Sequence, residues 1–153
     1  MKKLVSKLLL IKKNNNLVKK NKMESYNKVV LCVDDDPIIL NMLMFQFNKS
    51  LDPMQYLIEY NSEPSTVLDK LNSYNLTEND ELTVIIDYQM PKMTGADLAQ
   101  KIKLSYPKSK CIMLSGQSTE SVVEELKGNK VLDYFLPKPW NENELIGLIN
   151  NAN

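Results

Sequence analysis

The chain has 153 residues, 43% apolar and 25% charged, values ordinary for one globular domain large enough to support its own core. It contains no histidine, which excludes His-based zinc sites, a Ser-His-Asp triad and a phosphohistidine on this chain. It contains no arginine either, so any phosphate is met by lysine and not by a guanidinium fork.

The formal charge of zero is the sum of two unlike parts. Lys2, Lys3, Lys7, Lys12, Lys13, Lys19, Lys20 and Lys22 fall in a stretch without a single acid. Residues 23–153 hold the other 11 lysines against all 19 acids, a net of −8. Residues 1–24, rich in Lys and Asn, cannot assemble a packed core and read as a flexible basic tail, with residues 25–153 as the folded unit. Leu4, Leu8 and Ile11 share one face if the tail is helical, which leaves weak contact with a membrane surface open. The tail's apolar run at 8–11 is too short to span a bilayer. Lys7 interrupts any signal-peptide core and no small-residue cleavage site follows, so a cytoplasmic location is expected. Met23, at the change in composition, is an alternative start. The lysines alone would give only salt-sensitive, non-specific attraction to nucleic acid, which argues against DNA binding as the function.

Beyond the tail, short β-branched runs alternate with helical patterns. The spacing predicts a strand over 29–33, a helix over 37–49, a strand over 56–60 and a helix over 64–71. A strand over 82–86, a helix over 96–105, a strand over 110–114 and a helix over 119–127 follow. A strand over 131–136 and a helix over 142–150 complete the series. Asp36, Thr94, Ser118 and Asn141 stand where N-caps belong, and Glu144 completes a capping-box pattern with Asn141. The runs at 29–33 and 82–86 are nearly continuous apolar stretches, as expected of parallel strands covered on both faces. Five β–α units imply an α/β fold, a three-layer sandwich around a five-stranded parallel sheet. Cys32 and Cys111 lie inside apolar runs and read as buried thiols in a reducing compartment.

Ligands of such sheets bind beyond the C-terminal strand ends. The first strand ends in Asp34-Asp35-Asp36, the third in Asp87, the fourth in Ser115-Gly116 and the fifth in Pro137-Lys138-Pro139. Converging carboxylates repel one another unless a cation is present, and a few carboxylates with a backbone carbonyl suit Mg²⁺. A carboxylate beside Mg²⁺ and a lysine is equipped to attack phosphorus and become an aspartyl-phosphate. Taken singly, each residue has a plainer reading: Asp36 as a helix cap, Ser115-Gly116 as a turn, Lys138 as an exposed lysine. Their joint arrangement on successive strand ends favours the site.

Four blocks carry a family resemblance: Val-Leu-Cys-Val-Asp-Asp-Asp-Pro (30–37), Val-Ile-Ile-Asp-Tyr-Gln-Met-Pro-Lys-Met-Thr-Gly (84–95), Met-Leu-Ser-Gly (113–116) and Tyr-Phe-Leu-Pro-Lys-Pro-Trp (134–140). Together they resemble the response-regulator receiver domain of two-component signalling, over about residues 27–151. The resemblance implies a doubly wound, flavodoxin-like sheet in strand order 2-1-3-4-5. It implies Asp87 as phosphoacceptor, and Asp34, Asp35, Asp87 and the Gln89 backbone carbonyl as the Mg²⁺ site, with Asp35 the more direct ligand. It further implies Lys138 as the phosphate-pairing lysine with a cis Lys138–Pro139 bond, Ser115 as switch hydroxyl and Phe135 as switch aromatic. Gln89 and Gln117 take the positions that tune phosphate lifetime. Phe135 also reads as plain core.

The resemblance implies a signalling switch, not an enzyme with an external substrate; it promotes only its own phosphorylation and dephosphorylation. A phosphatase of the haloacid-dehalogenase type would show Asp-x-Asp, whereas Asp87-Tyr88-Gln89 stands here. The phosphodonor is expected to be a sensor histidine kinase or histidine phosphotransfer protein, with output through a downstream protein and no fused effector domain. A phosphorelay intermediate or phosphate sink is the alternative. The segment 38–47 is more apolar than one buried stripe requires, which suits either partner docking or cover by its neighbours or the tail.

Overall fold

The computed structural model describes residues 26–117 and 120–151. The tail, the Ser118 cap and the start expected for the fourth helix at Thr119 lie outside the described residues. Five strands, β1 (Lys28–Val33), β2 (Tyr56–Asn61), β3 (Glu81–Asp87), β4 (Lys110–Ser115) and β5 (Tyr134–Pro137), form one sheet. Every pairing is parallel, and the order is β2-β1-β3-β4-β5. The helices among the described residues are α1 (Pro37–Ser50), α2 (Val67–Asn72), α3 (Gly95–Ser105), α4 (Glu120–Gly128) and α5 (Glu142–Asn150).

Alternation along the strands explains the two cores. Val29, Leu31 and Val33 of β1 and Val84 and Ile86 of β3 point to one face, where Val67 and Leu71 of α2 and Leu98 and Ile102 of α3 pack. Val30, Cys32 and Ile85 point to the other, against Leu40, Leu43 and Phe47 of α1 and Leu145 and Ile149 of α5. Both faces are covered, which is why these strands are apolar without interruption.

Caps fix the helix starts. The Asp36 carboxylate accepts from the Ile38 N–H at 2.8 Å. Thr94 and Asp97 form a reciprocal capping box, and Asn141 accepts from the Glu144 N–H. Most element bounds fall within one residue of expectation, and two elements depart by more. The second helix begins as a 3₁₀ turn at Pro64–Thr66, where the Thr66 hydroxyl donates back to the Glu63 carbonyl. The fifth strand starts at Tyr134, because Lys130 adopts φ 57° and the N–H groups of Val131 and Leu132 both turn back to the Leu126 carbonyl. No helix among the described residues is long and apolar enough to cross a membrane.

Candidate functional site

The chain reverses its direction of growth between β1 and β3, and there the C-terminal strand ends open a crevice. β1 delivers Asp34 and Asp35 into it and β3 delivers Asp87. One carboxylate oxygen from each of the three lies within 4.8 Å of the other two. Asp34 and Asp87 are buried, whereas Asp35 is exposed.

Lys138 reaches this cluster from the end of β5. Its ammonium donates to Asp34 Oδ2 at 2.8 Å and to Asp87 Oδ1 at 2.8 Å. Its backbone N–H donates to the Ser115 carbonyl at the end of β4, and the Lys138–Pro139 bond is cis. Asp34 is held on both sides, since its Oδ1 accepts from the Asp36 N–H at 2.8 Å. Its backbone N–H donates to the Asn61 carbonyl at the end of β2.

Electrostatics follow from this burial. Desolvation pushes the Asp87 carboxyl above the usual carboxylate range, and the charges of Asp34 and Asp35 add to it; the Lys138 hydrogen bond opposes the shift without cancelling it. For Lys138, burial works against the charge, but the hydrogen bonds to Asp34 and Asp87 outweigh it and the ammonium is held more firmly protonated than usual. One ammonium thus faces three carboxylates. That excess of negative charge on oxygen donors alone fits a hard divalent cation such as Mg²⁺.

The remaining expected residues lie at or beyond the ends of β3 and β4 and on β5. Ser115 is buried, and its hydroxyl accepts from the Gln117 N–H at 3.2 Å. Gln89, two residues past Asp87, and Gln117 are exposed. Phe135 is half-buried on β5, in register with Met113 of β4. Asp36 is a helix cap, as expected.

Two features of the site escaped the sequence reading. A Cβ on Gly95 would stand 2.2 Å from the Asp87 carbonyl oxygen, so the helix that follows the β3 loop approaches the end of β3 closer than any side chain permits. Gly95 also closes that loop by donating its N–H to the Tyr88 carbonyl. Lys92, inside the loop, adopts φ 69°, a left-handed conformation uncommon for a lysine. Neither leaves a local signal, apart from the glycine itself.

Comparison with known proteins agrees with this fold. The response regulator receiver domain matches residues 30–150. A segment of the autoinducer 1 sensor kinase/phosphatase LuxN of Vibrio campbellii is 29% identical over 129 residues, covering 84% of this chain and 14% of that protein. The DNA-binding transcriptional regulator NtrC of Rhizobium meliloti is 29% identical over 123 residues, covering 80% of this chain and 23% of that protein. The chain therefore spans less than a quarter of the length of these curated relatives. The crystal structure of a CheY-like receiver domain protein from Methanospirillum hungatei JF-1 superposes with a TM-score of 0.66 at 26% identity, covering 80% of this chain and 90% of that one. A matched span that reaches from β1 to the last turn of α5, over a sheet in this order, shows that the chain belongs to the response regulator receiver domain family.

Proposed function

We propose that residues 25–153 act as a Mg²⁺-dependent phosphorylation switch, with residues 1–24 as an appended basic tail. Asp87 accepts a phosphoryl group from a phosphohistidine on a sensor histidine kinase or histidine phosphotransfer protein. The phosphorylated form then signals by binding a downstream protein. The observation that carries this reading is the junction of Asp34, Asp35 and Asp87 with the Lys138 ammonium at one sheet edge.

In the transfer, an Asp87 carboxylate oxygen forms a bond to phosphorus as the phosphorus–nitrogen bond to the donor imidazole breaks. Asp34, Asp35, Asp87 and the Gln89 carbonyl would hold Mg²⁺, which when bound would supply positive charge to offset the negative charge of the transferring oxygens. Lys138, already bonded to Asp87, shifts its ammonium to a phosphoryl oxygen. Asp35, exposed while both Asp34 oxygens are engaged, suits the role of more direct metal ligand. The buried Ser115 hydroxyl turns to donate to the phosphoryl group, and Phe135 follows it inward, which changes the surface beside β5. Gln89 and Gln117 flank the new phosphate and set how readily water reaches it.

Incubation with acetyl phosphate and Mg²⁺ tests this directly. Wild type should gain one phosphoryl group and Asp87→Asn none; equal labelling of the two would overturn the assignment. A relay or phosphate-sink role is a second reading, supported by the likeness to a segment of a sensor kinase/phosphatase and by Ile38, Met42 and Phe45, which stand exposed on α1. Fast return of phosphate from Asp87 to a histidine phosphotransfer protein favours the relay, and a stable phosphoprotein with a new binding partner favours the switch.

A further inference from the structure

The two sides of the site share one support. α1 begins directly after the acidic cluster, and its cap Asp36 donates its N–H to Asp34. Farther along α1, Gln46 meets the segment that carries Lys138: the indole N–H of Trp140 donates to Gln46 Oε1 at 2.9 Å. Trp140 is the chain's single tryptophan, and it packs against the apolar core beneath α1 and α5. Glu142, the first residue of α5, adds weaker contacts to α1, 3.4 Å from the Ser50 hydroxyl and 3.9 Å from the Lys49 ammonium.

Lys138 needs such a support. Its side chain is a flexible four-carbon stem that must place one ammonium between two carboxylates. On the β4 side its backbone is fixed by the bond to the Ser115 carbonyl. On the other side the nearest directional tie is Trp140, two residues on, and that tie ends on the helix that also anchors Asp34.

We propose that Gln46 and Trp140 form a positioning pair that sets the reach of Lys138 toward Asp87. The inference rests on the phosphorylation reading above. Neither residue touches the reacting atoms; the pair acts through the 138–140 backbone, so its loss lowers the maximal phosphorylation rate without changing how the small donor binds.

The test is phosphorylation of the full chain by acetyl phosphate at saturating Mg²⁺, over a range of donor concentrations, with folding monitored by circular dichroism. Trp140→Phe keeps most of the ring but removes the donor, and Gln46→Leu removes the acceptor. Each should lower the maximal rate about three- to tenfold with an unchanged half-saturating concentration, and the double variant should be no slower than either single. Gln46→Glu retains an acceptor oxygen and should restore most of the rate. Wild-type maximal rates in folded Trp140→Phe and Gln46→Leu, even with lowered urea midpoints, would show the pair to be structural and overturn the inference. Additive losses, or no recovery in Gln46→Glu, overturn it as well. A wild type that takes up no phosphate at Asp87 defeats the phosphorylation reading itself, and this inference with it.

Discussion

Lys138 lies 51 residues beyond Asp87 in the chain, yet its ammonium sits 2.8 Å from Asp87 Oδ1 and equally close to Asp34 Oδ2. Removing this cation leaves two buried carboxylates facing each other. Lys138→Met is expected to destabilise the metal-free protein by about 1–3 kcal/mol, less than a fully buried pair because the lysine keeps some contact with water. Urea denaturation in the presence of a chelator measures it. An unchanged midpoint would mean that the carboxylates do not depend on Lys138.

Asp35 is the exposed member of the acidic cluster, so Asp35→Asn removes charge without opening a cavity. In chelator the variant should melt at or above the wild-type temperature, because one source of repulsion has gone. Added Mg²⁺ should raise the melting temperature of wild type far more, since affinity in the variant is expected to fall about tenfold or more. Thermal scans across a Mg²⁺ series check both statements. An equal Mg²⁺ response in the two proteins would remove Asp35 from the metal site.

Gly95 should tolerate no side chain. In Gly95→Ala the new methyl would meet the Asp87 carbonyl oxygen at 2.2 Å and Ile86 Cγ2 at 3.0 Å, and the first of these is backbone that cannot step aside. The expected cost is about 2–3 kcal/mol by urea denaturation. Slower phosphorylation of the folded fraction should accompany it, since relief of the clash displaces Asp87. A loss well below 1 kcal/mol would show that the loop adapts more freely than its geometry indicates.

The cysteines provide a pH-dependent test. Burial pushes the Cys111 thiol up to about 11, with Asp133 adding to the shift and Lys103 and Ser109 partly opposing it, and pushes Cys32 higher still. The reactive thiolate is therefore scarce in the native state near pH 8, and rising pH should restore it only above the ordinary thiol range. Native protein should react with a disulfide reagent about a hundredfold or more slowly than urea-unfolded protein. The two thiols point to opposite faces of the sheet, so oxidation should yield no intramolecular disulfide while the fold is intact. Mass spectrometry of oxidised, folded protein decides that point.

The site was legible in the sequence because its chemistry sits on strand ends. β1 and β3 announce themselves as apolar runs, so Asp34, Asp35 and Asp87 could be placed at the same edge before any contact was known. Other features depend on partners far along the chain. Val131 and Leu132 look like strand residues, but Val131 packs on the core and Leu132 is buried, both ahead of β5 and without pairing in the sheet. Hydrophobicity alone cannot separate those two ways of being buried. Lys110 looks like the polar start of a strand, yet it is buried and donates to the Leu148 and Asn151 carbonyls at the end of α5. The excess apolar surface of α1 was visible as composition, but not whether its neighbours covered it. Leu40, Leu43 and Phe47 are buried, whereas Ile38 and Phe45 stand open at 66% and 74% exposure.

The bond network around Asp34 has a bearing on readiness. A metal ion comes and goes with its concentration outside, whereas the Lys138 ammonium is carried by the chain and cannot dilute away. Under the proposed function, the protein would wait, folded and with its carboxylates already aligned, through periods of magnesium scarcity. Signalling would then be timed by the arrival of a phosphodonor and not by assembly of the pocket that receives it.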